Sequence, residues 1–308
     1  MVQQKILVIL GPTAVGKTAL SLDLARALGG EIISADSMQV YRGMDIGTAK
    51  PSREERRAVV HHLLDVVDPN ESFNVADYVN LAEEVLADLK SLNTAAILSG
   101  GTGLYIDALL QGFLFPDTSA DEAIRDELQA QAAEDPQSLF AELQEVDPAS
   151  AKKLHPNDLR RVIRALEVYR RTGEPISILQ RKKGEGTRPY QPLYIGLFRD
   201  RQNLYGRVDQ RVDQMVQAGL VDEVEGLLAT YPEQPTALQA LGYKEIAYYL
   251  RGEMTLPEAI ERLKRDTRRY AKRQLSWFRR NQQIHWFNCT DLTHERIKQE
   301  AQALWEPS

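Results

Sequence analysis

Gly11-Pro12-Thr13-Ala14-Val15-Gly16-Lys17-Thr18 is the stretch on which the fold turns. It matches G-x-x-x-x-G-K-[ST] and stands between an apolar run, Lys5 to Leu10, that reads as a buried strand, and a helix-period segment from about Lys17 to Leu28 closed by Gly29-Gly30. In that strand-loop-helix setting, backbone N–H groups curve around a diphosphate and the helix N-terminus adds positive potential. Lys17 supplies a point charge, and the Thr18 hydroxyl can hold Mg²⁺. A chance match in a chain of this length is on the order of 1%, so the loop reads as a phosphate cradle.

Working outward, Glu31 to Ala35, Ala95 to Ser99, Pro192 to Phe198 and Ile284 to Phe287 are further short apolar runs separated by helix-period sequence. That alternation predicts an α/β fold: a P-loop core whose mainly parallel sheet is covered by helices. Between Pro116 and about Pro189 the pattern is purely helical, as in Leu159, Val162, Ile163, Leu166 and Tyr169, which predicts an inserted all-helical domain. The expected organisation is a first core part over 1–115, the insertion over 116–190 and the core continuation over 191–308. Lys182 to Pro192, rich in Gly, Pro and charge, reads as a mobile connector.

A length of 308 residues leaves room for about two domains. No apolar stretch approaches the 18 or so residues needed to span a bilayer, and Ile6 to Leu10 is too short for the core of a secretory signal, so a cytoplasmic protein without a membrane partner is expected. One cysteine, Cys289, excludes an internal disulfide, and no Cys/His spacing supplies a zinc site. The net charge of −6 hides an asymmetry: residues 1–150 carry 10 Lys and Arg against 24 Asp and Glu, and 151–308 carry 28 against 20. Two stretches, Ala151 to Arg188 and Arg262 to Arg280, are strongly basic, the footprint of a polyanionic partner.

A nucleotide hydrolase would place an Asp at the end of a strand to support its metal. The strand over 95–99 runs instead into Ser99-Gly100-Gly101-Thr102-Gly103, and the strand-end acid is Asp36, expected beside the P-loop strand in the crevice where open sheets bind ligands. Arg207 and Arg211, four apart in a helical pattern, share a face; internal pairing with Asp209 or Asp213 is the alternative to a ligand role.

GPTAVGKT at 11–18, ISADSMQVYRGMDIGTAKP at 33–51, HHLLDVVDP at 61–69, LSGGTGLYIDALL at 98–110, NDLRRVIRALEVY at 157–169, ALQALGYKEI at 237–246 and TRRYAKRQLSWFR at 267–279 run in order through most of the chain. Together they resemble the bacterial-type tRNA dimethylallyltransferases, without the zinc finger that eukaryotic relatives usually add. The resemblance implies transfer of the dimethylallyl group from dimethylallyl diphosphate to N6 of the adenosine beside the 3′ end of the tRNA anticodon, with Mg²⁺ as cofactor, by a monomer. It implies that Asp36 is the base and that Thr102 contacts the transfer site. It implies that Gly11, Pro12, Thr13, Ala14, Val15, Gly16, Lys17 and Thr18 hold the donor diphosphate, with Thr18 on the metal. An arginine from the 207–211 segment would join them, Arg211 in preference to Arg207.

For the tRNA, the resemblance implies contacts from Asp36, Ser37, Met38, Gln39 and Thr102, from Arg160, Arg161 and Arg164, and from Arg125. In the C-terminal basic helix, Leu263, Tyr270, Leu275 and Phe278 would pack, leaving Arg268, Arg269, Lys272, Arg273 and Arg279 for phosphates. Trp277 is expected in the core, and neither His61 nor His62 in catalysis. A prenyltransferase acting on free adenine nucleotides, a small-molecule P-loop kinase and a nucleic-acid-binding module without activity are the competing readings. The basic stretches count against the first, the missing strand-end Asp against the second, and the intact P-loop against the third.

Overall fold

A computed structural model of the chain describes residues 3–112, 122–182, 189–232 and 236–306. The described residues divide into two compact units, 1–110 with 189–308, and 111–188. The first unit runs β1 (Gln4–Leu10), α1 (Lys17–Leu28), β2 (Gly30–Ala35), α2 (Arg53–Ala58), β3 (His61–His62), α3 (Val75–Ser91), β4 (Ala95–Gly100) and α4 (Gly103–Gln111). The second holds α5 (Glu122–Glu134), α6 (Pro136–Val146), α7 (Pro148–Ala151), α8 (Leu159–Thr172) and α9 (Ile176–Lys182). The chain then returns to the first unit with β5 (Tyr190–Phe198), α10 (Arg201–Gln217), α11 (Leu220–Thr230), α12 (Tyr243–Leu250), α13 (Leu256–Phe278), β6 (His285–Asn288) and α14 (His294–Trp305). Of the expected connector, 183–188 lie outside the described residues, as does the expected start of the insertion at Pro116.

The sheet is parallel throughout, in the order β3-β2-β4-β1-β5-β6. Ile6, Leu7, Val8 and Ile9 are all fully buried, because a central parallel strand is covered on both faces and has no side left for polar residues. One face takes Leu20 and Leu24 of α1 with Ile297 and Ala301 of α14; the other receives α3. A second cluster gathers Val40, Tyr41 and Met44 with Val212, Leu220, Tyr243, Ile246 and Leu263, so the segment after β2 is anchored to α10–α13. The helical unit has its own core, Leu128, Leu139, Leu143, Val162 and Leu166.

Two expectations change. β2 does not adjoin the P-loop strand, because β4 lies between β1 and β2. The reason is steric as well as topological: at Gly100, the last residue of β4, a Cβ would lie 2.1 Å from the carbonyl oxygen of Ala35 in β2. Only a residue without a side chain lets the end of β4 slot in there. His61 and His62, assigned no element from sequence, form a two-residue edge strand. His62 Nε2 lies 2.6 Å from Glu31, and His61 Nδ1 lies 2.8 Å from the Val59 carbonyl, which gives both rings structural partners.

Gly100→Ala should therefore lower the unfolding free energy by roughly 2–4 kcal/mol through backbone overpacking. Gly206→Ala in α10, where a Cβ would meet nothing within 4 Å, should raise it by about 0.5–1 kcal/mol. Urea unfolding of both variants checks the contrast.

Candidate active site

The carboxyl ends of β1, β2 and β4 open onto a cavity of about 1280 Å³ within the first unit. One wall is the loop before α1. Lys17 Nζ donates to the carbonyls of Gly11 at 3.0 Å and Pro12 at 2.9 Å. Ala14 has φ of 62°, a left-handed conformation uncommon for a residue with a Cβ, and its carbonyl accepts from Arg207 Nε at 3.0 Å. The next carbonyl, of Val15, accepts from Arg199 Nε at 3.2 Å. Two arginines thus hold the curve of the loop from the β5–α10 side of the sheet.

Arg211, one turn after Arg207 on α10, lines the cavity with its Nε sealed from solvent and without a hydrogen-bond partner. Neither expected acid neutralises this pair: Asp209 is bonded to Arg268, and Asp213 to Lys264 at 2.7 Å. Burial pushes the Arg211 guanidinium below its ordinary value, opposed by the Asp36 carboxylate, with Arg207 adding to the downward push. Lys17 is lowered to about 8 by burial first and the Arg211 charge second, again opposed by Asp36. An arginine nevertheless stays charged. Desolvated cations gathered in one cleft mark a place built for an anion.

Asp36 also lines the cavity, and its Oδ1 accepts the Met38 N–H at 3.0 Å. The loop after β4 is stitched to the end of β2: Thr102 N–H donates to the Ala35 carbonyl, and Ser37 N–H donates to Thr102 Oγ1, both at 3.0 Å. Tyr270 of α13 also lines the cavity and sits against Thr102 and Gln274; burial, and then the nearby Asp36 charge, push its phenol up.

These features have a known counterpart. The IPP transferase family model matches residues 39–281. The chain belongs to that family. It is 50% identical over 301 residues to a tRNA dimethylallyltransferase of Halothermothrix orenii, covering 97% of this chain and 92% of that one. It is 51% identical over 286 residues to a tRNA dimethylallyltransferase of Symbiobacterium thermophilum, covering 92% and 89%. Among solved structures, the tRNA isopentenylpyrophosphate transferase of Bacillus halodurans is similar with a TM-score of 0.74 at 45% identity, over 98% of this chain and 96% of that chain. A eukaryotic dimethylallyltransferase acting on tRNA gives a TM-score of 0.83 at 31% identity, over 98% and 78%.

Within this IPP transferase, the residues expected around the acceptor are placed unequally. Ser37 is tied to Thr102. Gln39 points its amide inward, accepting from Ser34 Oγ at 3.0 Å and donating to the Thr48 carbonyl at 3.2 Å. Arg160 and Arg161 are exposed on α8, whereas Arg125 and Arg164 both clamp the buried Glu167, at 3.0 Å each. The expectation that Arg268 faces phosphates gives way to its ion pair with Asp209, and Arg269 lies 3.2 Å from Asp266 although it is largely exposed. Lys272, Arg273 and Arg279 are exposed, and Arg273 lines the cavity. Trp277 is half-buried, donating from Nε1 to Asp107 at 2.8 Å.

Sequence reading missed the residues that hold the 36–50 segment. Lys50, its side chain fully buried, bonds the Tyr41 carbonyl at 2.8 Å, Asp45 at 2.7 Å and Asp65 at 2.6 Å. Glu223 of α11 accepts the N–H groups of Asp45, Ile46 and Gly47, and the Tyr243 hydroxyl at 2.6 Å. Lys50 falls inside the 33–51 motif, so that much was visible; Glu223 carries no local signal. Among the described residues no group of three or more His, Cys, Asp or Glu could cage a metal ion, and no helix is long and apolar enough to cross a membrane.

Lys50→Met would leave two carboxylates and a carbonyl without their buried cation, and should cost about 2–4 kcal/mol of stability. Arg42→Met, which removes a largely exposed partner of Asp68, should cost at most about 1 kcal/mol. Urea midpoints of the two variants measure the difference.

Proposed function

We propose that this protein transfers the dimethylallyl group of dimethylallyl diphosphate to N6 of the adenosine beside the 3′ end of the anticodon in tRNA. The observation that carries the reading is one cavity lined by Lys17, by Arg211 with its unpartnered Nε, and by the Asp36 carboxylate that acts on both. The relatives, named for this reaction, agree with it.

In the step proposed, the allylic C–O bond breaks and its electron pair leaves with the diphosphate. Lys17, Arg211 and the loop over 11–18 stabilise that developing charge. The N6 lone pair, delocalised into the purine, is a weak nucleophile; as it forms the new C–N bond, its proton passes to Asp36. To Thr102, bonded to Ser37 beside Asp36, we assign the orienting of the base. Thr18, exposed on the first turn of α1 and lining the cavity, offers one hard oxygen, which fits Mg²⁺ that draws its other ligands from phosphate and water. When bound there, Mg²⁺ would neutralise diphosphate charge. The exposed cations Arg160, Arg161, Lys272, Arg273 and Arg279 suit tRNA phosphates.

The direct test assays purified protein with dimethylallyl diphosphate, Mg²⁺ and either an anticodon stem-loop or AMP. If remote phosphates supply binding energy, kcat/KM should be several powers of ten lower for AMP. Comparable values would instead favour a free-nucleotide prenyltransferase. Asp36→Asn, which keeps the shape and removes the basicity, should abolish transfer while tRNA affinity stays within about threefold.

Lys17 adds a pH signature. Its free-enzyme value near 8 means that above this pH the lysine is neutral before binding. Diphosphate favours the charged form, so binding takes up a proton and apparent donor affinity falls as pH rises through 8. The donor kcat/KM profile should show that descending limb, and Lys17→Met should remove it and lower the plateau.

A further inference from the structure

Gln274 lies in α13, a helix whose outward face is read above as phosphate-binding, yet its own side chain is buried at 6% exposure and points the other way. Its Oε1 accepts the Thr13 N–H at 2.9 Å, and its Nε2 donates to the Gly101 carbonyl at 2.9 Å. The two bonds determine the amide's orientation: a backbone N–H can only meet oxygen and a carbonyl can only meet nitrogen, so a flipped amide would lose both. Gly101 accommodates the contact by lacking a side chain, since a Cβ there would come within 2.2 Å of Nε2.

Both partners belong to the reaction proposed above. Thr13 is in the loop assigned to the donor diphosphate. Gly101 precedes Thr102, whose N–H and hydroxyl hold Ala35 and Ser37 on either side of Asp36. A continuous chain of hydrogen bonds therefore runs from the donor loop through one side chain to the residues flanking the base. Tyr270, one turn earlier on the same helix, sits against both Thr102 and Gln274 and closes the arrangement. Leu or Met could fill the same space but would leave the Thr13 N–H and the Gly101 carbonyl without these partners.

We propose that Gln274 is a positioning residue for prenyl transfer, setting the distance between the donor-holding loop and the base-bearing segment. The proposal rests on the prenyl-transfer reading. Gln274 also lines the cavity, but both polar ends of its amide are taken by the Thr13 N–H and the Gly101 carbonyl, so it acts through the two loops. Its removal acts on the geometry in which allylic carbon and N6 meet, where a displacement of about 1 Å is worth roughly 100-fold in rate.

The test is single-turnover transfer to a stem-loop at saturating donor and acceptor. For Gln274→Ala the saturated rate should fall about 10–100-fold, while the KM values for donor and stem-loop, and the affinity for Mg²⁺ with inorganic diphosphate, stay within about threefold. Gln274→Glu, isosteric, cannot donate to the Gly101 carbonyl when ionised but can when protonated, so its rate relative to wild type should be low at pH 8 and recover toward pH 6. This second variant serves also if the alanine protein fails to fold. A folded alanine variant with near-normal saturated rate, a Gln274→Glu ratio flat with pH, or a Gln274→Glu rate loss that follows loss of folded protein by circular dichroism would each overturn the proposal. Absence of transfer by the wild type would overturn the reading beneath it, so the two failures are told apart.

Discussion

Lys17 sits near the Arg211 charge in one cavity where both residues are partly buried, and the Asp36 carboxylate opposes the loss of charge on each. The rest of the first unit can be understood as the frame that keeps these three charges close but unpaired. If the carboxylate were allowed to collapse onto the cations, the result would be a buried ion pair with no use for a ligand. Its Oδ1 is held by the Met38 N–H, and Lys17 Nζ is held by the Gly11 and Pro12 carbonyls. Asp36 and Lys17 are thus each tethered to a loop of their own, while Arg211 projects from α10 with an unbonded Nε.

The tethering depends on strand order. Because β4 separates β1 from β2, the loop over 11–18 and the segment that begins at Asp36 do not leave adjacent strands, and the loop Gly100 to Gly103 fills the interval between them. That loop can approach Ala35 on one side and Gln274 on the other because Gly100 and Gly101 carry no side chains. Arg199 and Arg207 hold the loop over 11–18 through the Val15 and Ala14 carbonyls. Lys50 and Glu223 hold the far end of the segment after β2 against its neighbours.

Basic residues in this chain therefore divide into two populations with different physics. Arg125 and Arg164 on Glu167, Arg268 on Asp209 and Lys264 on Asp213 are matched to specific carboxylates, and their charge is already neutralised locally. Arg160, Lys272, Arg273 and Arg279 are exposed and project a field into solvent, while Arg161, also exposed, lies 3.3 Å from Asp158. Pairing removes one charge of each sign, so it leaves the positive excess over 151–308 unchanged but localises it on the exposed cations.

Sequence alone determined the elements and their chemistry where these are local. A strand, a turn and a helix N-terminus are set by neighbours within a dozen residues, which is why the strand-loop-helix over 5–28, α1 over Lys17–Leu28 and the strand-end position of Asp36 were all legible, and why the ordered motifs already named the family. Whatever depends on two segments meeting was not: a helical period shows that Arg207 and Arg211 share a face, but only the packing of α10 shows one bonded to Ala14 and the other left with a sealed, unpartnered Nε. The same holds for the intervening β4 and for Arg268. It holds most of all for Gln274, polar and unremarked in a basic helix until the fold brings it between Thr13 and Gly101, 261 and 173 residues away along the chain. Chain-distant hydrogen bonds leave no periodicity in the sequence, because their partners are chosen by the three-dimensional close packing of the whole unit.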